Sequence, residues 1–217
     1  MKKLLVVLGI LLVSLLGILI VVPILFKEDA KKAVDDAIAE QLNAHVFYDQ
    51  DGLSLSLFEN FPNFTFSMKD FGVSGIDSFA SDTLIKVASF EITLDLLSVI
   101  SGEQIMINEI SLKSPEITIL ALSDGQNNYD IFKETTDETP SETPAEEEST
   151  FSLAIKKWQI IDGNFTYDDL LSGIHTSLLG INHTGSGDFS QDIFDLMIKT
   201  TIVSVDLNYE GTNYLKE

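Results

Sequence analysis

Two periodicities divide the chain. Residues 4–26, LLVVLGILLVSLLGILIVVPILF, carry no charge, and Ser14 is their one polar side chain. At ~1.5 Å of rise per residue, such a run forms a helix about 34 Å long, enough to cross a hydrocarbon core of roughly 30 Å. Inside lipid every backbone N–H and C=O must be satisfied within the segment, which leaves a helix as its state. Met1-Lys2-Lys3 stands in front of it. The positive-inside bias then sets the N-terminus in the cytoplasm and residues 27–217 across the membrane. A cleaved signal peptide would have a shorter apolar core and a small-x-small cleavage site. Val21-Val22-Pro23-Ile24-Leu25-Phe26 offers none.

Residues 27–44, KEDAKKAVDDAIAEQLNA, predict a second, amphipathic helical segment. Ala30, Ala33, Val34, Ala37, Ile38 and Leu42 fall at three- and four-residue spacing, with Lys and Asp/Glu opposite. This stripe is expected to lie over the start of a sheet. From His45 the period becomes two. Leu53, Leu55 and Leu57 alternate with serines; Phe64, Phe66 and Met68 alternate with Thr65 and Ser67; Phe90, Ile92, Leu94 and Leu96 alternate with Glu91, Thr93 and Asp95. Ile117-Thr118-Ile119 and residues 203–207 repeat the pattern. Alternation of this kind predicts an antiparallel sheet, apolar on one face and wet on the other. Asp51-Gly52, Pro62, Gly72 to Gly75, Ser101-Gly102, Ser114-Pro115, Asp124-Gly125, Asp162-Gly163 and Gly185 to Gly187 supply turn signals between roughly ten strands. Residues 96–100 fit one helical turn.

An internal repeat runs through the second half. Residues 107–119 align without gaps on residues 155–167, at an offset of 48. Ile107/Ile155, Ile110/Trp158, Leu112/Ile160, Ile117/Phe165 and Ile119/Tyr167 match in kind, and Pro115 falls on Gly163. Each copy reads as a hairpin, so that stacked hairpins extend one sheet. Between the copies, residues 133–150 (KETTDETPSETPAEEEST) are acidic and almost without large apolar side chains, which predicts a disordered, solvated loop.

The formal net charge of −21 leaves no basic cluster for nucleic acid. The chain has no cysteine, which excludes disulfides, thiolate metal sites and cysteine nucleophiles. His45, His175 and His183 have no metal-ligand spacing. Asp49-x-Asp51-Gly52 lacks the downstream Glu of a calcium loop. Asp162, Asp168 and Asp169 flank a turn signal rather than a pocket, and no nucleophile elbow or phosphate loop occurs. Asn63, Asn164 and Asn182 head glycan-acceptor triplets, which are common in β sequences. No cofactor, metal or catalytic residue is expected, and the chain is not expected to be an enzyme.

The order of several pieces resembles the N-terminal region of the AsmA family of Gram-negative envelope proteins. An apolar anchor follows a basic start. A Phe-Pro turn, Phe61-Pro62, precedes Asp70-Phe71-Gly72-Val73. Residues 96–107 (LLSVISGEQIMI) lead into Ile110-x-Leu112-x-x-Pro115-x-Ile117-x-Ile119, then Asp124-Gly125-x-x-Asn128. The resemblance covers most of the chain. It implies an elongated, curved sheet folded as a groove, anchored in the inner membrane and reaching through the periplasm, which passes phospholipid between membranes or serves outer-membrane assembly. It implies a phospholipid or other acyl-chain lipid as ligand, with outer-membrane or envelope proteins as further partners. Family members run several hundred residues further, so the chain reads as an N-terminal segment of such a structure.

The expected organisation is therefore mainly β: an anchor over residues 1–26, a juxtamembrane helix over 27–44, a first sheet segment over 45–132, the acidic loop over 133–150, and continuation of the sheet over 151–217. The candidate groove lining is Leu55, Leu57, Phe64, Phe66, Met68, Phe90, Ile92, Leu94, Ile117 and Ile119. A membrane-anchored assembly factor that pairs its sheet edge with envelope partners is the alternative.

Overall fold

The computed structural model describes residues 2–57, 60–101, 104–133, 152–187 and 195–216. The chain opens with a single helix, α1 (Lys2–Gln41). Eleven strands follow among the described residues: β1 (His45–Phe47), β2 (Ser54–Ser56), β3 (Phe64–Ser74), β4 (Thr83–Leu94), β5 (Gln104–Ala121), β6 (Ser152–Ile155), β7 (Lys157–Asp169), β8 (Ile174–Ser186), β9 (Met197–Thr201), β10 (Ser204–Tyr209) and β11 (Thr212–Lys216). A one-turn helix, α2 (Leu96–Ser101), joins β4 to β5, as the spacing at 96–100 predicts. The acidic tract lies outside the described residues, Lys133 excepted. Among the described residues no helix is long and apolar enough to cross a membrane. The side chains of most of residues 4–26 are not among those described.

All strands share one open sheet in the order β1-β3-β4-β5-β7-β8-β10-β11. The short strand β2 shares an edge of β3 with β1; β6 continues into β7 along β5; β9 and β10 share an edge of β8. Most neighbours are antiparallel, but β5 pairs with β6 and β7 in parallel. The sheet is therefore mixed, not wholly antiparallel as the alternation predicts. Alternation reports only which face is wet. Strand direction follows from the connection, and residues 122–151 exceed the dozen or so residues that a parallel crossover needs.

The repeat explains that parallel pair. Its copies are not hairpins: each is one long strand, β5 and β6–β7. Their Cα partners are Ile107↔Ile155, Ile110↔Trp158, Leu112↔Ile160, Ile117↔Phe165 and Ile119↔Tyr167. The 48-residue offset of the repeat is the register of the parallel pair along its whole length. Equivalent side chains stack beside one another because the two copies lie side by side.

Ser114-Pro115 and Asp162-Gly163 are bends inside strands rather than turns. Ser114 and Asp162 have φ of 46° and 54°, and Asp70 in β3 and Gly180 in β8 have φ of 50° and 64°. Pairing places Asp70, Ser114 and Asp162 at one level, since Phe71↔Val87 and Val87↔Pro115 are partners just beyond it and Gly163 lies against Pro115; Gly180 follows one step further on, between the pairs Gly163↔Ile181 and Phe165↔Leu178. Gly163 lies directly against Pro115, where a Cβ would come within 3.1 Å of the proline Cγ. The apolar alternation slips by one residue at the same level. It runs 64, 66, 68 and then 71, 73 in β3; 94, 92, 90 and then 87, 85 in β4; 110, 112 and then 115, 117, 119 in β5; 158, 160 and then 163, 165, 167 in β7. A residue outside the extended region withholds the half-turn that alternation requires, so the next side chain returns to the face just used. The bend and the slip cancel, and the apolar set stays on one face. A row of such bends also creases a sheet transversely.

Past β5 the chain folds back through Asp124-Gly125-Gln126-Asn127-Asn128. The Asp124 carboxylate accepts the Gln126 amide, and Gly125 takes φ of 89°. Asn128 is buried; its Oδ1 accepts the Leu120 N–H at 2.8 Å and its Nδ2 donates to the Thr118 carbonyl at 2.7 Å. Asn128→Ala leaves the Leu120 N–H and the Thr118 carbonyl without this partner at a buried site, so it is expected to cost about 2–4 kcal/mol, read as a lowered urea midpoint with an unchanged slope.

Candidate functional site

The two faces of the sheet differ in chemistry. One bears cross-strand polar pairs. Ser54 and Ser67 hydroxyls meet at 2.6 Å. Asn60 donates to Thr65, and the Thr65 and Thr93 hydroxyls are 3.4 Å apart. Lys113 pairs with Glu91 at 2.7 Å, and Lys157 with Glu109 at 3.0 Å. Glu109 and Ser111 also accept Gln159 Nε2. These exposed ion pairs contribute little to stability; Thr65, Thr93 and Ser111 on the same face are buried, so this face is polar but covered in part.

Apolar rows cross the other face, strand to strand. One row is Leu55–Phe66–Ile92–Ile110–Trp158. A second is Met68–Phe90–Leu112–Ile160. Beyond the crease, Val73–Ile85–Ile117–Phe165–Leu178–Val205 spans six strands. Ile119 and Tyr167 start the next row. The indole of Trp158 spreads over Gly185, where a Cβ would lie 2.0 Å from the ring, and its Nε1 donates to His183 Nε2 at 3.0 Å. Any side chain at 185 would displace the one tryptophan of this face.

Cover is uneven. Apart from α1 against β2 and α2 against β5, the elements in substantial contact are sheet neighbours, so among the described residues no second layer packs over the apolar rows. α1 runs beside β2 with Ala30, Val34 and Ile38 half-buried, as is Leu42 just past its end. The fully buried apolar side chains cluster on that side: Leu53, Leu57, Met68, Val73 and Val87 are 0–4% exposed. Further across, Ile110, Leu112, Ile160, Phe165, Leu178 and Val205 are only half-buried.

The ten residues singled out by the alternation thus separate. Leu57 and Met68 are interior. Leu55, Phe64, Phe66, Phe90, Ile92 and Leu94 form a half-buried block on one side of the crease. Ile117 and Ile119 belong to the block on the other side. Ile110, Leu112, Trp158, Ile160 and Phe165 share these rows and carry the same alternation. In the sequence they stand out as repeat matches rather than as lining, because a hairpin in each copy would not set them in these rows.

α1 is tied to the sheet by the Tyr48 hydroxyl, which donates to Asp35 at 2.6 Å. Partial burial, and then the Asp35 carboxylate, push the Tyr48 pKa up to about 12. The folded value lies above the ordinary tyrosine value, so the stabilisation is complete below about pH 10. It is lost as pH rises through about 12. Absorbance titration of the five tyrosines should show a group ionising near that pH that Tyr48→Phe removes.

The histidines are structural neighbours. His183 is held between Trp158 and Thr200, and His175 Nδ1 lies 2.5 Å from Asp168, its cross-strand partner. Among the described residues no three His, Asp or Glu side chains converge as metal ligands. Neither a curated protein nor a solved structure matches the chain. A family model described as the AsmA family matches residues 1–202, nearly its whole length, and the chain therefore belongs to the AsmA family.

Proposed function

We propose that this protein is held in the inner membrane by residues 4–26, faces the periplasm, and carries phospholipid acyl chains on the open side of its apolar sheet face. The observation that carries the reading is the combination of long, half-buried apolar rows with a polar-paired back face and, among the described residues, no second layer packed over those rows beyond α1. A soluble domain seldom leaves so long an apolar face only half-buried unless it binds something. Acyl chains satisfy such a surface while headgroups remain in water at its edge, and their movement along the rows requires no chemistry. Membership of the AsmA family supports an envelope location.

The test uses a photoreactive phenylalanine analogue in the full chain in its own membrane. At Ile92, on the apolar face, irradiation is expected to give a phospholipid adduct. At Glu91, on the polar face, it is not. Equal adducts at both positions, or none at Ile92, would count against the proposal. A folded chain without an Ile92 adduct would favour edge pairing instead: β11 hydrogen-bonds only to β10 among the described strands, and its residues are exposed throughout.

A further inference from the structure

The two ends of the sheet are not equivalent, and α1 distinguishes them. The last turn of α1 lies at one end: the Asn43 amide donates to the Ile131 carbonyl, and β1 then pairs with Gly72 to Ser74. Traced backwards, the helix passes Tyr48 at Asp35 and contacts β2, whose partners are Thr65 to Ser67 near the opposite end of β3. The eight steps along β3 from Ser74 back to Phe66 span about 26 Å, which takes roughly 17 helical residues. α1 therefore reaches the opposite end of the sheet near residue 25, and its apolar run projects beyond that end. Val21, Ile24, Leu25 and Phe26 are exposed there.

That same end carries a rim of exposed apolar side chains. Phe61, in the turn before β3, is 56% exposed; Leu97 and Val99 on α2 are 75% and 40% exposed; Met197 and Ile198 at the start of β9 are 70% and 56% exposed. The α2 positions are held out rather than loose. Asp95 accepts the Ser98 amide at 2.9 Å, and the buried Ser98 hydroxyl accepts the Met106 amide at 3.0 Å. Lys156, Lys157 and Lys199 lie on this side of the crease; Lys157 and Lys199 line one cleft with Met197 and Ile198, and Lys157 pairs with Glu109. The far end also exposes apolar residues, Leu170 and Leu171, but they sit among Asp77, Asp82, Asp124, Asp130, Asp168 and Asp169.

We propose that the rim formed by Phe61, α2 and the start of β9 sits in the headgroup–acyl boundary of the membrane that holds α1, with the three lysines at the level of the phosphates. The apolar rows of the sheet then begin at the membrane surface, with no aqueous gap between bilayer and sheet. This deepens the proposed function and rests on its anchor.

The absence of cysteine makes the test direct, because each Cys variant carries one thiol. An environment-sensitive fluorophore is attached at Leu97→Cys, Met197→Cys, Leu171→Cys or Ser14→Cys in the full chain. The chain is then reconstituted in vesicles of phosphatidylethanolamine and phosphatidylglycerol. Labels at 97 and 197 are expected to be quenched by doxyl-labelled lipid and to be about threefold less sensitive to aqueous iodide than the label at 171, as fits insertion to the headgroup boundary. Position 171 is the matched control, since Leu171 and Met197 are equally exposed at 70%. If 14 is quenched by lipid but 97 and 197 behave like 171, the rim inference fails and the anchor stands. If 14 is not quenched, the anchor reading fails and the rim falls with it. Lipid quenching at 97, 197 and 171 alike would refute the distinction between the ends.

Discussion

Phe66→Asp is expected to remove the phospholipid adduct at Ile92 while leaving the sheet folded. Phe66 is half-buried in the row Leu55–Phe66–Ile92–Ile110–Trp158, so a carboxylate there keeps much of its hydration when no lipid is present. Under an acyl chain it would be stripped of water without a partner, at a cost of several kcal/mol. Each ~1.4 kcal/mol is a tenfold loss of occupancy, so adduct yield should fall by at least about tenfold. Val87→Asp is the contrasting variant. Val87 is 1% exposed, between its partners Phe71 and Pro115. The same carboxylate there is buried with or without lipid, and its cost is comparable with the whole stability of a domain, about 5–15 kcal/mol. Val87→Asp should therefore abolish cooperative unfolding. A Phe66→Asp chain that melts like the parent and still crosslinks lipid at Ile92 would remove Phe66 from the lipid path. One that unfolds like Val87→Asp would assign its row to a closed core.

The sheet was legible because its signal is local. Strict alternation at 53–57, 64–68 and 90–94 requires only that each strand have one wet face, and those strands lie where the pattern puts them. The one-turn helix at Leu96 was visible for the same reason. Strand direction was not local. The 48-residue repeat was visible, but Ser-Pro and Asp-Gly are strong turn formers, and nothing within either copy says that a neighbour will hold the bend open as a strand. Only the pairing does so, by setting Pro115 against Gly163 and Ser114 level with Asp162.

One signal in the sequence did distinguish a bend from a turn. A turn reverses the chain and restarts the alternation freely. A bend inside a strand shifts it by a single residue, and in β3, β4, β5 and β7 it does so at one level. The three-residue steps 68 to 71, 87 to 90, 112 to 115 and 160 to 163 are that shift. Which lining residues are covered was beyond the same reading. Leu57 and Leu55 alternate alike, but one is interior and the other half-buried, because cover depends on how far α1 reaches across the sheet.

Deleting Asp162 is expected to unfold the second half of the sheet. The deletion removes the residue that absorbs the slip in β7. Strict alternation would then carry Gly163, Phe165 and Tyr167 to the polar face and turn Asn164, Thr166 and Asp168 toward the apolar rows. It would also break the 48-residue register with β5 at every position beyond Lys113. Point substitutions separate register from strain. Asp162→Gly keeps the residue count and relieves φ of 54°, while its backbone amide can still donate to Asn182 Oδ1. The gain in the folded state is set against the greater freedom of glycine in the unfolded chain, so the net should lie between zero and about 1 kcal/mol of stabilisation. Asp162→Val cannot adopt that φ without strain and should cost about 1–3 kcal/mol. Thermal unfolding followed by far-ultraviolet circular dichroism ranks the three. The expected order is glycine at or above the parent, valine below it, and the deletion without a cooperative transition. A deletion variant that melted with the valine variant would mean that the bend only relieves local crowding. A deletion that destroys folding while glycine does not would mean that Asp162 matters as a counted position, and that the crease is what keeps one apolar face continuous across the sheet.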